Sequence, residues 1–83
     1  MATPLEIVLV SLKNGRFILT QHAKQRMRER RVRFDDIMCC AQTMRKMREQ
    51  EDGTFKVEGE DLEGDELTII AGYDGEAVIV TLF

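Results

Sequence analysis

At Glu51 the spacing of apolar residues changes from helical to alternating, and that change limits the folds open to this chain. Beyond it, Phe55 and Val57 alternate with Lys56 and Glu58, which predicts a half-buried strand over 54–60. A turn over 61–65, containing Gly64, leads into a second strand over 66–73. Asp74-Gly75 then reads as a two-residue hairpin turn before a last strand over 76–83. Three sequential antiparallel strands result. Such a sheet must bury one face, and the first half of the chain has to supply the cover.

That half reads as helices around one short strand. Thr3 can cap the amide of Glu6 while Glu6 reaches back, and Pro4 sits where its missing N–H costs nothing. Leu5, Val8, Leu9 and Leu12 form the apolar stripe, with Asn14-Gly15 as the stop. Residues 16–20 make a short strand, and Thr20 caps a second helix. A third helix begins near Phe34 with Asp35 and Asp36 in its first turn. Its stripe of Ile37, Cys40, Ala41, Met44 and Met47 carries it to Arg45, Lys46 and Arg48 at the C-terminal end. The expected fold is therefore a two-layer α+β domain, ordered helix, strand, helix, helix, strand, strand, strand, with an antiparallel sheet that the early strand joins. With no linker to divide its 83 residues, the chain is expected to form a single domain, 1–83. Its core is thin, since a chain of this size buries only about 60–65% of its unfolded surface.

Composition closes off several functions. No apolar run approaches the roughly 20 residues of a membrane span, and Leu5–Val10 follows no basic segment of the kind that opens a signal peptide. Cys39 and Cys40 are adjacent, which suits a reducing compartment and not a disulfide framework, so the expected location is the cytoplasm. There is no glycine-rich phosphate loop. One histidine and two vicinal cysteines cannot supply a four-ligand zinc site, so neither metal nor cofactor is expected.

Charge is divided along the chain. Residues 1–48 hold eleven basic and four acidic side chains, a balance of +7, and residues 49–83 hold one basic and eleven acidic, a balance of −10. The net charge of −3 hides a basic half able to attract polyanions, because attraction follows the local field. The acidic half can either mask that basic surface or form a separate face for a basic partner; a separate face is expected, because helix and sheet must each turn a polar side outward from one core.

Six of the twelve basic residues fall between Thr20 and Ile37, beside His22, the only histidine. On a helix His22, Arg26 and Glu29 share a face, with Arg30 alongside. An imidazole among guanidinium groups suits a phosphate-bearing ligand. His22, Arg26 and Arg30 are accordingly the candidate catalytic residues for metal-free cleavage of RNA. There the ribose 2′-OH attacks, a base takes its proton and guanidinium groups stabilise the charge. Lys24, Arg28, Arg31 and Arg33 are the candidate nucleic-acid contacts, with Lys56 and Tyr73 added from the sheet. The plainer alternative is a solvated basic helix whose histidine packs against its neighbours.

The run Thr20-Gln21-His22-Ala23-Lys24-Gln25-Arg26-Met27-Arg28-Glu29-Arg30-Arg31-Val32, followed by Phe34-Asp35-Asp36-Ile37, resembles the H-A-x-x-R-M-x-E-R-x-I/V signature of a small bacterial domain-of-unknown-function family. That family is similar to RelE-, BrnT- and MqsR-like toxins. Val57-Glu58-Gly59, Leu67-Thr68-Ile69-Ile70 and Val78-Ile79-Val80-Thr81 extend the resemblance through the tail. It implies a RelE-like α+β fold and the toxin of a type II toxin–antitoxin pair that cleaves messenger RNA. Its partners would be RNA and a small antitoxin with a zinc-finger or helix-turn-helix region. Two rival readings stand beside this one: a non-catalytic nucleic-acid- or protein-binding module on the same fold, and a structural homodimer or larger homo-oligomer.

Overall fold

The computed structural model describes residues 2–83 as three helices against one face of a five-stranded sheet. Helix α1 spans Pro4–Lys13 and starts as its sequence requires: the Thr3 hydroxyl accepts from the Glu6 amide at 3.2 Å, and Pro4 opens the first turn. Val8 and Leu12 of its stripe are fully buried, and Leu5 and Leu9 pack against the core edge. The Asn14 side-chain amide donates to the Val10 carbonyl at 2.7 Å where the helix stops.

Strand β1 (Phe17–Leu19) leads into α2 (Gln21–Arg30) and α3 (Phe34–Gln42), and β2 (Lys46–Glu49), β3 (Phe55–Glu60), β4 (Glu66–Tyr73) and β5 (Ala77–Leu82) complete the chain. The strands lie in the order β1-β5-β4-β3-β2. Phe55, Val57, Leu67, Ile69, Ala71, Ala77, Ile79 and Leu82 face the helices and are buried, while the residues between them face away. The alternation beyond Glu51 is the imprint of that single covered face.

Three expectations need correction. The sheet is mixed: β1 runs parallel to β5, pairing Phe17 with Ala77 and Leu19 with Ile79. A parallel pair needs a long crossover, and here residues 20–76 separate the two strands, so local spacing could not reveal the direction. The third helix also ends sooner, at Gln42, and residues 46–49 form a fourth strand of the meander. Thr43 makes the break. Its hydroxyl donates to the Cys39 carbonyl at 2.8 Å and accepts from the Glu60 amide at 2.9 Å, which fastens the helix end to β3. The chain then extends, and Met47 falls opposite Val57 on the covered face. Met44 and Met47 suit helical spacing, but the β3 ladder and the packing of half-buried Met47 against the core outweigh that propensity. Lastly, Asp74-Gly75-Glu76 is a three-residue connection, with Tyr73 paired to Ala77 and Gly75 at φ +73°.

Two buried polar groups tie layers together. The Ser11 hydroxyl on α1 donates to the Arg16 carbonyl and accepts from the Ala77 amide at 3.0 Å, joining α1 to the start of β5. Asp36 on α3 accepts from the Arg33 amide at 2.7 Å and from the Leu62 amide at 3.0 Å, joining α3 to the β3–β4 turn.

Cys40 is buried where α3 meets the sheet, its thiol donating to the Leu67 carbonyl at 3.2 Å, whereas Cys39 is partly accessible. Burial pushes the Cys40 thiol up to about 12 from an ordinary 9.0. In the native protein a thiol reagent is therefore expected to label Cys39 and to reach Cys40 only on unfolding. The unfolded thiol ionises first, so the stability due to this group is complete below about pH 9 and declines as pH rises towards 12. Urea unfolding of the wild type and Cys40→Ala across that range checks the sign, because the variant must lose this part of the decline.

Candidate nucleic-acid interface

The basic helix owes its position to an incomplete strand pairing. β1 covers only Ala77–Ile79 of β5, and a bulge follows at once: Ala71 pairs with Ile79 and Ile70 with Thr81, which leaves Val80 as the extra residue. The remaining edge of β5 is taken up by α2. Thr20, its N-cap, accepts from the Ala23 amide at 3.1 Å and places its hydroxyl 2.9 Å from the Ile79 carbonyl and 3.0 Å from that of Val80. Nearly two turns on, Arg26 Nε donates to the Leu82 carbonyl at 3.2 Å. Ala23 is fully buried beneath the helix and Met27 half-buried.

This anchoring sorts the candidate residues into two groups, because successive helical side chains step about 100° around the axis. His22, Arg26 and Glu29 occupy one flank. Arg26 is engaged there with Leu82 and with Glu29 at 3.4 Å, whereas His22 is exposed. Arg30, in the last turn, is exposed too. Lys24 and Arg28 occupy the other flank and meet Arg31 and Arg33 around a shallow groove of about 440 Å³. Its floor is apolar, made by Leu19, Met27 and Val32. Among the described residues none of the four groove cations is in a salt bridge. The two ion pairs found among the described residues are Arg26–Glu29, within α2, and Arg45–Glu60, so no acidic side chain of residues 49–83 is ion-paired with this helix there.

The helix ends in an unusual way. Arg31 has φ +56° and ψ +39°, the left-handed conformation, and is the one non-glycine residue with positive φ among those described. Val32 N–H bonds to the Met27 carbonyl at 2.9 Å and Arg31 N–H to that of Arg28 at 3.4 Å, the paired bonds of a Schellman ending. Glycine usually holds this position, and an L-residue with a Cβ is disfavoured there by about 1 kcal/mol. The turn folds Val32 back towards Met27, so the motif builds the groove floor and its rim at once.

Lys56 and Tyr73 do not join this site. Lys56 lies on β3, on the face away from the helices, beside Ile70 and Arg48. Tyr73 ends β4 near Thr3, Pro4 and Leu5 of α1. Sequence reasoning identified the groove cations but missed the floor. Leu19 read as strand, and only the turn at Arg31 shows that it, Met27 and Val32 line one concavity. It also missed Arg48 and Lys46 on the open sheet face, where Arg48 stands opposite Lys56 and Lys46 opposite Glu58.

Fold and site together define a small α+β protein that carries a basic, apolar-floored groove on a helix at the sheet edge. Residues 19–83 match the family described as a domain of unknown function, DUF4258, and the chain belongs to that family. No curated protein and no solved structure matches it. Among the described residues no helix is long and apolar enough to cross a membrane.

Proposed function

We propose that this is a toxin-like RNA-binding protein of a type II toxin–antitoxin pair, which contacts RNA through the α2 groove. One observation carries the reading: Lys24, Arg28, Arg31 and Arg33 converge on one concavity without an acidic partner among the described residues. Cations held together without counter-charge repel one another, and an anionic ligand relieves that repulsion. The resemblance of residues 20–37 to the signature of a family that is itself similar to RelE-, BrnT- and MqsR-like toxins supplies the biological class. The antitoxin would meet the acid-rich side, which the α2 cations do not engage through any ion pair among the described residues.

The catalytic version of this reading uses the other flank. An exposed His22 takes the proton of a ribose 2′-OH as its oxygen bonds to the adjacent phosphorus; the 5′-oxygen leaves and is protonated by water. Arg30, exposed about two turns further along α2, would stabilise the phosphorane-like charge of a strand that runs along the helix. A second reading, binding without cleavage, draws on Arg26: its guanidinium group is committed to Leu82 and Glu29 and so acts as an anchor of α2.

One set of measurements addresses both. Four phosphate contacts to a single strand give a slope of log affinity against log salt near −3, at about −0.7 per contact. Replacing Lys24, Arg28, Arg31 and Arg33 with Ala should abolish most of that slope and weaken binding more than tenfold at low salt. Unchanged affinity and slope in a folded variant would remove the groove from the RNA site. Expression of the wild type alone should arrest growth, relieved by the neighbouring antitoxin. Loss of arrest in His22→Ala with RNA binding intact supports cleavage, and persistence of arrest supports binding alone.

A further inference from the structure

We infer that the α2 groove takes one unstacked nucleotide of a single strand, its base on the apolar floor and its flanking phosphates on the cationic rim, with Arg31 selecting this ligand. The inference rests on the RNA-binding reading and specifies which nucleic acid the groove admits.

The floor of Leu19, Met27 and Val32 excludes a duplex as the natural ligand. A duplex offers a short helix its phosphates while its bases stay stacked inside, so the floor would meet nothing apolar. In a single strand the base can be splayed out, presenting a flat, weakly hydrated face a few ångströms from its own phosphates. That ligand alone matches an apolar patch ringed by cations. The floor carries no hydrogen-bonding side chain, so recognition should tolerate any base.

Arg31 is the second observation. Its left-handed backbone is a position that glycine fills without strain, so the backbone gives no reason for an arginine there. Arg31 lines the groove together with Arg28, and from there its planar cation can both lie over a base and bond a phosphate. The side chain accounts for the residue, against the preference of the turn.

Arg31→Gly separates binding from folding, because it should stabilise the helix end. The probes are a labelled oligouridylate of about ten nucleotides and an RNA hairpin stem of similar length. The wild type should bind the single strand at least tenfold more tightly than the stem. Arg31→Gly should melt higher by a few degrees yet bind the single strand about tenfold more weakly, and it should lose more single-strand than stem affinity, so that the preference between the two RNAs falls at least threefold. If the wild type binds both RNAs equally, or Arg31→Gly keeps full single-strand affinity, the inference fails while the RNA-binding reading survives through the response to Lys24, Arg28 and Arg33. If the wild type binds neither RNA at low salt, both fail together.

Discussion

Gly59→Ala is expected to destabilise the fold by about 3 kcal/mol, seen as a lower urea midpoint at unchanged slope. A domain of this size has only about 4–12 kcal/mol of stability, so much of the variant would be unfolded under mild conditions. The cause is the close approach of α3 to β3. A Cβ on Gly59 would overlap the Cys40 carbonyl oxygen and lie 3.0 Å from the Cys40 carbonyl carbon and 3.2 Å from its Cα. These are backbone atoms of a packed helix, and no side-chain rotation can relieve them. Gly72→Ala is the control: there the nearest atom is the Val78 carbonyl oxygen at 3.9 Å, and a change below about 1 kcal/mol is expected. Equal stability of the two variants would mean that α3 does not pack on β3 as closely as described.

Asp36→Ala should cost a similar amount, about 3 kcal/mol, for an unrelated reason. The substitution orphans two amides, those of Arg33 and Leu62, and hydrogen bonds to a charged acceptor are worth about 1.5–3 kcal/mol each. Asp36→Asn should lose less, since its one carbonyl oxygen still accepts from one amide while its NH₂ cannot accept from the other. The site-specific readout is hydrogen exchange at Leu62. It should accelerate sharply in Asp36→Ala, while the turn keeps its inner bonds, in which the Glu63 and Asp65 amides donate to the Asp61 carboxylate. Wild-type exchange at Leu62 would show that Asp36 merely starts a helix, the role its sequence position suggests.

Much of the candidate site was legible in the chain, though unevenly. The Thr20 cap and the run of cations on α2 are local features, settled within a few residues by helix geometry. The division of labour was not legible. Arg26 and Arg28 are equivalent in composition and differ because β5 passes one flank of the helix, giving Arg26 the Leu82 carbonyl and leaving Arg28 to the groove. Val32 became floor because Arg31 adopts a conformation that usually belongs to glycine.

The same distinction holds for the fold. The sequence by itself determined α1 from its cap to its stop, the start of α3, the three strands after Glu51 and the α+β class, because each depends on periodicity, caps or turns spanning a few residues. Only the tertiary structure decided the parallel pairing of β1 with β5, the conversion of residues 46–49 from helix to strand, and the close seat of α3 on Gly59. Each of these depends on a partner distant in sequence, whose backbone hydrogen bonds or packed surface outweighs a local propensity of a few tenths of a kcal/mol per residue.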